Sequence, residues 1–415
     1  MQSPNALFRR SLFAALPCAA ASTLWATGAS LPERLCSWLT KPSQLRIAAT
    51  PGHVWVIAWI DTSGSEVRIG CKVFPAKSSL GDGAAIVDAP APGADELQLA
   101  AGADRNWVAS WRIARPAGDS YEIHSFVATG PRAWQRTDTA RDASAISGLV
   151  FVEPVDGRSA PASLDRIDDS CSLMLPTAAG RSRPPDALWT WPAATVDGPQ
   201  RFPGEPHSLA TSCRMAARLV SDRQGGVFAV AALPADNSRE LRVRYVDADG
   251  QTVWEQTVAA VKMENELDIA AAVWTLNRQF RVAWRETSGA GSSWKAQSLG
   301  ADGQQMFGNG GLVLHESGAE DDHAQLAVSG DGDLRMAWQD SALEGIRVHL
   351  RRWPSDQLAG APAEQERELA AAELAGFISP AIGAPRLFWL ASGPMGWALW
   401  SDLVTDAVET VNQVK

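Results

Sequence analysis

The chain of 415 residues is poor in tyrosine, poor in cysteine and has no excess of base. Lysine and arginine together number 37 against 47 aspartates and glutamates, a formal charge of −10. A surface of that sign repels phosphate backbones and argues against a nucleic-acid partner. The five cysteines include no Cys-x-x-Cys pair, so a zinc knuckle or thioredoxin-type site has no support. The six histidines, His53, His124, His207, His315, His323 and His349, show neither His-x-His nor His-x-x-x-His spacing, which removes any local metal signature. Gly-x-Ser-x-Gly, Walker and Gly-x-Gly-x-x-Gly loops are absent too. Beyond the first 30 residues no apolar run approaches the ~20 residues of a membrane span. Low charge, at 20%, and abundant hydrophobic residues, at 46%, exclude global disorder.

What is present begins with a leader. Arg9 and Arg10 form a basic start, Ser11 to Ala26 is apolar or small throughout, and Thr27, Gly28, Ala29 and Ser30 supply small residues. Charge, apolar stretch and small-residue site follow the order of an export signal, expected over residues 1–30. Pro17 and the short apolar run argue against the alternative, an uncleaved membrane anchor. Residues 31–415 are then expected as a single domain without a stable membrane span, periplasmic or secreted.

Cys18 belongs to the leader, leaving Cys36, Cys71, Cys171 and Cys213 with three possible pairings. Closure between sequence neighbours favours Cys36–Cys71 and Cys171–Cys213. The alternative is four buried thiols.

The body of the chain repeats. Val56-Ile57-Ala58-Trp59-Ile60-Asp61 aligns with Val108-Ala109-Ser110-Trp111, with Arg281-Val282-Ala283-Trp284-Arg285-Glu286 and with Arg335-Met336-Ala337-Trp338-Gln339-Asp340. Trp59 to Trp111 is 52 residues and Trp284 to Trp338 is 54. Weaker copies fit near Leu149–Glu153, Val227–Leu233 and Arg386–Ser392. In phase with these, glycine is followed by an aromatic four positions later: Gly130 to Trp134, Gly250 to Trp254, Gly303 to Phe307. Leu241–Val246 alternates apolar and polar, as a half-buried strand does, and Asp247-Ala248-Asp249-Gly250 is turn chemistry. Glu364–Leu374 reads either as a short helix or as an outer strand.

Short strands recurring every fifty-odd residues describe the blades of a β-propeller. A lone four-stranded sheet cannot bury both faces. Radial stacking buries face against face, and ring closure removes the ends. The expected fold is all-β: a seven-bladed β-propeller of four-stranded antiparallel blades, with six or eight blades as alternatives. Blade starts are expected near Leu45, Leu97, Ala143, Leu209, Leu267, Ala324 and Phe377.

The units resemble divergent bacterial repeats with a VAWxD strand followed by a DxDGxxxW turn, found in secreted seven-bladed propellers. They are also similar to the pyrroloquinoline-quinone-type propeller repeat, whose turn reads Asp-Ala-x-x-Gly-x-x-x-Trp. Asp247-Ala248-Asp249-Gly250-Gln251-Thr252-Val253-Trp254 is one residue shorter than that turn. No segment matches a sialidase Asp box, because the aromatic falls four positions after glycine instead of three.

No catalytic residue, metal ligand or cofactor is assigned. Glu320-Asp321-Asp322-His323, Asp331-Gly332-Asp333 and Asp247-Ala248-Asp249 have the carboxylates to meet calcium, but a solvated loop and hairpin turns explain them better. Arg351-Arg352-Trp353 is weighed as a cationic patch, against plain surface. Trp59, Trp111, Trp284 and Trp338 are expected to wedge between blades. The less periodic Trp389, Trp397 and Trp400 are the candidate binding residues, since indole faces stack on sugar rings. Two functions follow: a non-catalytic exported scaffold holding a protein or glycan partner, or a carbohydrate-active enzyme with paired carboxylates in the central channel. The absence of linear catalytic motifs favours the first.

Overall fold

The computed structural model describes residues 32–404 except 50–54, 75–83, 102–106, 115–120, 129–133, 138–144, 153–159, 168–169, 175–216, 236, 318–323, 343–344, 361, 370–372 and 379–384. The leader and Cys213 lie outside the described residues.

The described chain opens with β1 (Glu33–Trp38). The first sheet is β2 (Gln44–Ala49), β3 (Trp55–Asp61), β4 (Arg68–Phe74) and β5 (Ala84–Pro90), in that order. The second is β6 (Ala94–Ala101), β7 (Trp107–Ala114), β8 (Tyr121–Ala128) and β9 (Trp134–Thr137). The third has three strands: β10 (Ala145–Val152), β11 (Ala160–Ile167) and β12 (Ser170–Met174). The fourth is β13 (Ala217–Ser221), β14 (Val227–Ala235), β15 (Ser238–Val246) and β16 (Thr252–Lys262). The fifth is β17 (Glu266–Trp274), β18 (Phe280–Ser288), β19 (Gly291–Leu299) and β20 (Leu312–Ser317). The sixth is β21 (Gln325–Val328), β22 (Leu334–Ala342), β23 (Gly345–Trp353) and β24 (Ala363–Leu369). The last is β25 (Glu373–Ile378), β26 (Arg386–Gly393) and β27 (Gly396–Leu403), completed on its outside by β1.

Every pairing within these sheets is antiparallel, and no helix occurs among the described residues. The all-β expectation therefore holds, and Glu364–Leu369 is outer strand rather than helix. Among the described residues, four strands per sheet holds everywhere except the third.

The second strand of a sheet is covered on both faces, so it reads as a nearly continuous apolar run. β3, β14, β18 and β26 are buried along most of their length. This is where the tryptophan motif falls: Trp59 on β3, Trp111 on β7, Trp284 on β18 and Trp338 on β22. The weak copies at Val227–Leu233 and Arg386–Ser392 fall on the second strands β14 and β26. The copy at Leu149–Glu153 instead overlaps β10, which has sheet partners on one edge only.

The core lies between sheets. Ile69, Cys71, Leu97, Trp107 and Trp111 join the first sheet to the second. Phe228, Leu241, Ile269, Phe280 and Trp284 join the fourth to the fifth. Leu35, Trp38, Ile57, Phe74 and Phe388 join the last to the first. The first strands β2, β6, β10, β13, β17, β21 and β25 pack against one another in that order, and β25 returns to β2.

The expected Cys36–Cys71 bridge is absent: both residues are free, buried thiols. Side chains alternate across β4, so Cys71 joins the core shared with the second sheet, while Cys36 belongs to the core shared with the last. The two thiols thus occupy opposite faces of the first sheet. Burial pushes the Cys36 thiol up to about 12, against a smaller opposing pull from Lys72. Cys71 is raised as well, first by burial and then by Cys36.

Candidate functional site

The free edge of each first strand borders the axis of the ring. β2 is covered on its faces by β25 and β6, and β3 takes its bonded edge. An exposed side chain on β2 therefore reaches water through the axial channel. Arg46 is such a residue, and Arg218 on β13 is another, between β10 and β17. Two first strands separate β2 from β13 on one side of the ring and three on the other. Both residues are exposed.

Arg46 Nη1 donates to the Leu45 carbonyl at 3.0 Å, and Arg218 Nε donates to the Ile269 carbonyl at 3.2 Å. Burial lowers both pKa values, and the charge of Arg46 lowers that of Arg218 further. No carboxylate among the described residues pairs with either.

Three acids on the first strands are paired with bases. Asp95 on β6 receives Arg112 at 2.8 and 2.6 Å, and Asp268 on β17 receives Arg285 at 3.0 Å. Each base stands 17 residues beyond its acid, on the cross-strand partner position. Glu373 on β25 meets Lys41 at 2.5 Å.

No family model and no curated protein matches the chain. Solved structures do. A polysaccharide lyase, an ulvan lyase bound to a GlcA–Rha3S unit, aligns over 88% of this chain and 95% of its own at 8% identity and a TM-score of 0.50. The β-propeller domain of the Trilobed protease from Pyrococcus furiosus aligns over 90% and 99% at 11% identity and a TM-score of 0.47. The chain is a β-propeller. At such identities the likeness concerns the fold alone.

In this propeller the three candidate tryptophans are not equivalent. Trp389 on β26 is 5% exposed and packs in the core between the sixth and last sheets, so its face is closed to a ligand. Trp397 and Trp400 on β27 are half-buried. Lys41 lies over the Trp397 ring at 5.7 Å. Leu39, 79% exposed, and Met395, 83% exposed, flank the β26–β27 hairpin that carries Trp397. Both rings are partly packed, Trp397 against the core shared with the first sheet and Trp400 against the core shared with the sixth.

The Arg351-Arg352-Trp353 segment forms no cationic patch. Arg351 lies 4.8 Å from the Trp338 ring centre and pairs with Glu364 at 2.7 Å. Arg352 pairs with Asp333 at 2.7 Å, and Trp353 is buried. Asp333 also accepts from the Ser355 amide at 2.9 Å, so it ties a turn and is closed to a cation. Asp247 likewise caps its own turn, accepting from the amides of Asp249 at 3.0 Å and Gln251 at 2.8 Å. Glu320–Asp322 and His323 lie outside the described residues. Among those described, no three His, Cys, Asp or Glu side chains gather as a metal site.

Two further features carry polar groups. Trp338 is stacked between His315 and His349, each ring 5.0 Å away, and His349 bonds Asp340 at 2.7 Å. A cavity of about 530 Å³ is lined by residues of the fifth and sixth sheets, among them Arg281, Met306, Phe307 and Leu358. The guanidinium of Arg281 is occupied there, donating to Gly332, to Gln279 at 3.2 Å and to the Ser355 carbonyl at 3.0 Å.

Sequence reasoning missed the channel arginines. Each is a single base between apolar neighbours, Leu45-Arg46-Ile47 and Ala217-Arg218-Leu219, on a strand with no free face. That isolation is the available signal.

Proposed function

We propose that this propeller is a non-catalytic recognition scaffold, exported to the cell envelope, that holds a glycan or protein partner, and that its sheets are the seven blades of one closed ring. The observation that carries the reading is the wall of the axial channel. Acid–base cleavage of a glycoside needs two carboxylates ~5–10 Å apart across the substrate. The first strands carry the exposed Arg46 and Arg218, and their acids Asp95, Asp268 and Glu373 are each held by a base. A rigid rim with variable loops suits recognition. Trp397 and Trp400 are proposed as a second contact, on β27 of the last blade.

The test is a glycan array together with a pull-down of the protein from envelope extract. Saturable capture of one class of glycan or protein, without turnover, is expected. Cleavage of a polysaccharide that is lost on changing one channel carboxylate would replace this reading with that of a carbohydrate-active enzyme.

A further inference from the structure

The cavity between the fifth and sixth sheets is bordered by two polar atoms that the fold leaves unused. Arg281 on β18 and Ser298 on β19 are directly opposed in the register, so their side chains share one face of the fifth sheet. Both line the cavity, and both are buried, at 4% and 1% exposure. The bonds of Arg281 to Gly332, Gln279 and Ser355 all come from its two Nη groups. Among the described residues its Nε and the Ser298 hydroxyl have no partner, and Arg281 enters no ion pair. Burial lowers the Arg281 pKa, against an opposing pull from Asp333 and Asp331. Asp333 is itself held by Arg352 at 2.7 Å and by Arg335 at 3.8 Å. The guanidinium is also fixed in place. It packs on the β21–β22 turn so closely that a methyl on Gly332 would lie 2.9 Å from its Cζ.

A buried cation without an ion partner costs free energy, and so does each orphaned donor. The rest of the cavity offers apolar surface. Met306 and Phe307 come from the segment between β19 and β20, and the buried Leu358 from the segment after β23. Met306 is 55% exposed and marks the opening. Asp356, the one carboxylate in the lining, is exposed, where water and salt screen it. A volume of about 530 Å³ with apolar walls and a few placed polar groups is the make-up of a small-molecule site. A fixed cation in an enclosed space selects an anion, because the attraction is worth more there than at an open surface.

We propose that this cavity binds a small carboxylic acid with an apolar body, one carboxylate oxygen accepting from Arg281 Nε and the other from the Ser298 hydroxyl. The body lies against Met306, Phe307 and Leu358. This site is separate from the glycan or protein contact proposed above and does not depend on it.

The experiment is titration calorimetry of the protein with phenylpropionate, with the uncharged phenylpropionamide of the same shape, and with the tripeptide Ala-Ala-Phe. Saturable heat is expected from a carboxylate, together with a raised melting temperature. The amide should bind roughly ten- to a hundredfold more weakly, the scale of a lost charged hydrogen bond. Binding of phenylpropionate assigns the site to free acids, and binding of the tripeptide alone assigns it to the carboxylate of a chain end. Ser298→Ala should weaken binding roughly tenfold and melt no lower than the parent, since that hydroxyl has no bond to lose. Arg281→Gln should abolish saturable binding. Its melting curve shows whether the fold persists, and where it does not, Ser298→Ala decides. Lys262→Gln, at the surface, should change nothing. Equal affinity for acid and amide, parental affinity in Ser298→Ala, or no saturable heat from either carboxylate overturns the site, and the last result leaves both atoms to solvent.

Discussion

Trp284 and Trp338 stand at matching places on their second strands but meet different neighbours. Trp284 is fully buried, its Nε1 donates to Glu286 at 2.9 Å, and its ring covers Gly311, whose φ of +73° suits glycine. Trp338 is half-buried between two histidines. Trp284→Ala should therefore cost about 3–5 kcal/mol by chemical denaturation, as large buried aromatics do. The thiols give a second residue-level outcome. Cys36 and Cys71 have raised pKa values, so their protonated forms favour the folded state. That contribution is whole below pH 9 and is lost as pH climbs towards about 12. Native protein should resist a thiol reagent at pH 8, and Cys36 and Cys71 should react on unfolding. The wedge role of Trp111 and Trp284 was legible because their strands are apolar on both faces. The pairing of cysteines was not, since sequence proximity does not reveal on which face of a sheet a side chain lands. Arg46 and Arg218 were equally hidden: 172 positions apart in the chain, they come to line one axis only when the first strands pack around it.

At the level of strands and turns, the glycine-to-aromatic spacing acquires a physical reason. Gly250 and Gly303 close hairpins with φ of +78° and +82°. Trp254, four residues after the first, lies on the backbone of the second, and its Nε1 donates to Ala301 at 3.0 Å. Gln305 Nε2 adds a bond to the Thr257 carbonyl at 2.8 Å. One sheet's fourth strand is thereby latched to the turn of the next. A methyl at position 303 would sit 2.8 Å from the Trp254 ring, in a backbone conformation that alanine resists. Gly303→Ala should cost about 1 kcal/mol or more and shift the emission of Trp254 towards that of exposed indole. The third sheet was the least legible. Its tryptophan-like copy, Leu149–Glu153, overlaps the axial strand β10 and lacks the indole that marks the second strands elsewhere, so the repeat pattern offered no reliable frame there.

Across the whole molecule, the ring is joined by two distant segments. β1 pairs with β27 from Glu33↔Ser401 to Trp38↔Trp397, and places Leu35, Cys36 and Trp38 in the core between the last sheet and the first. Deleting Glu33–Trp38 would strip those side chains and leave β27 as a bare edge. The expected result is a lower melting temperature together with self-association, measured by light scattering after size exclusion. The same pairing sets an order of events. The strand that seals the circle belongs to the beginning of the described chain, and its seat is formed by strands near the opposite end. Until β27 is in place, sheets can stack only as an unclosed arc, so sealing comes last and pays the entropy of the longest loop. A permuted chain that starts at β2 and carries β1 after β27 should refold faster while reaching the same final stability.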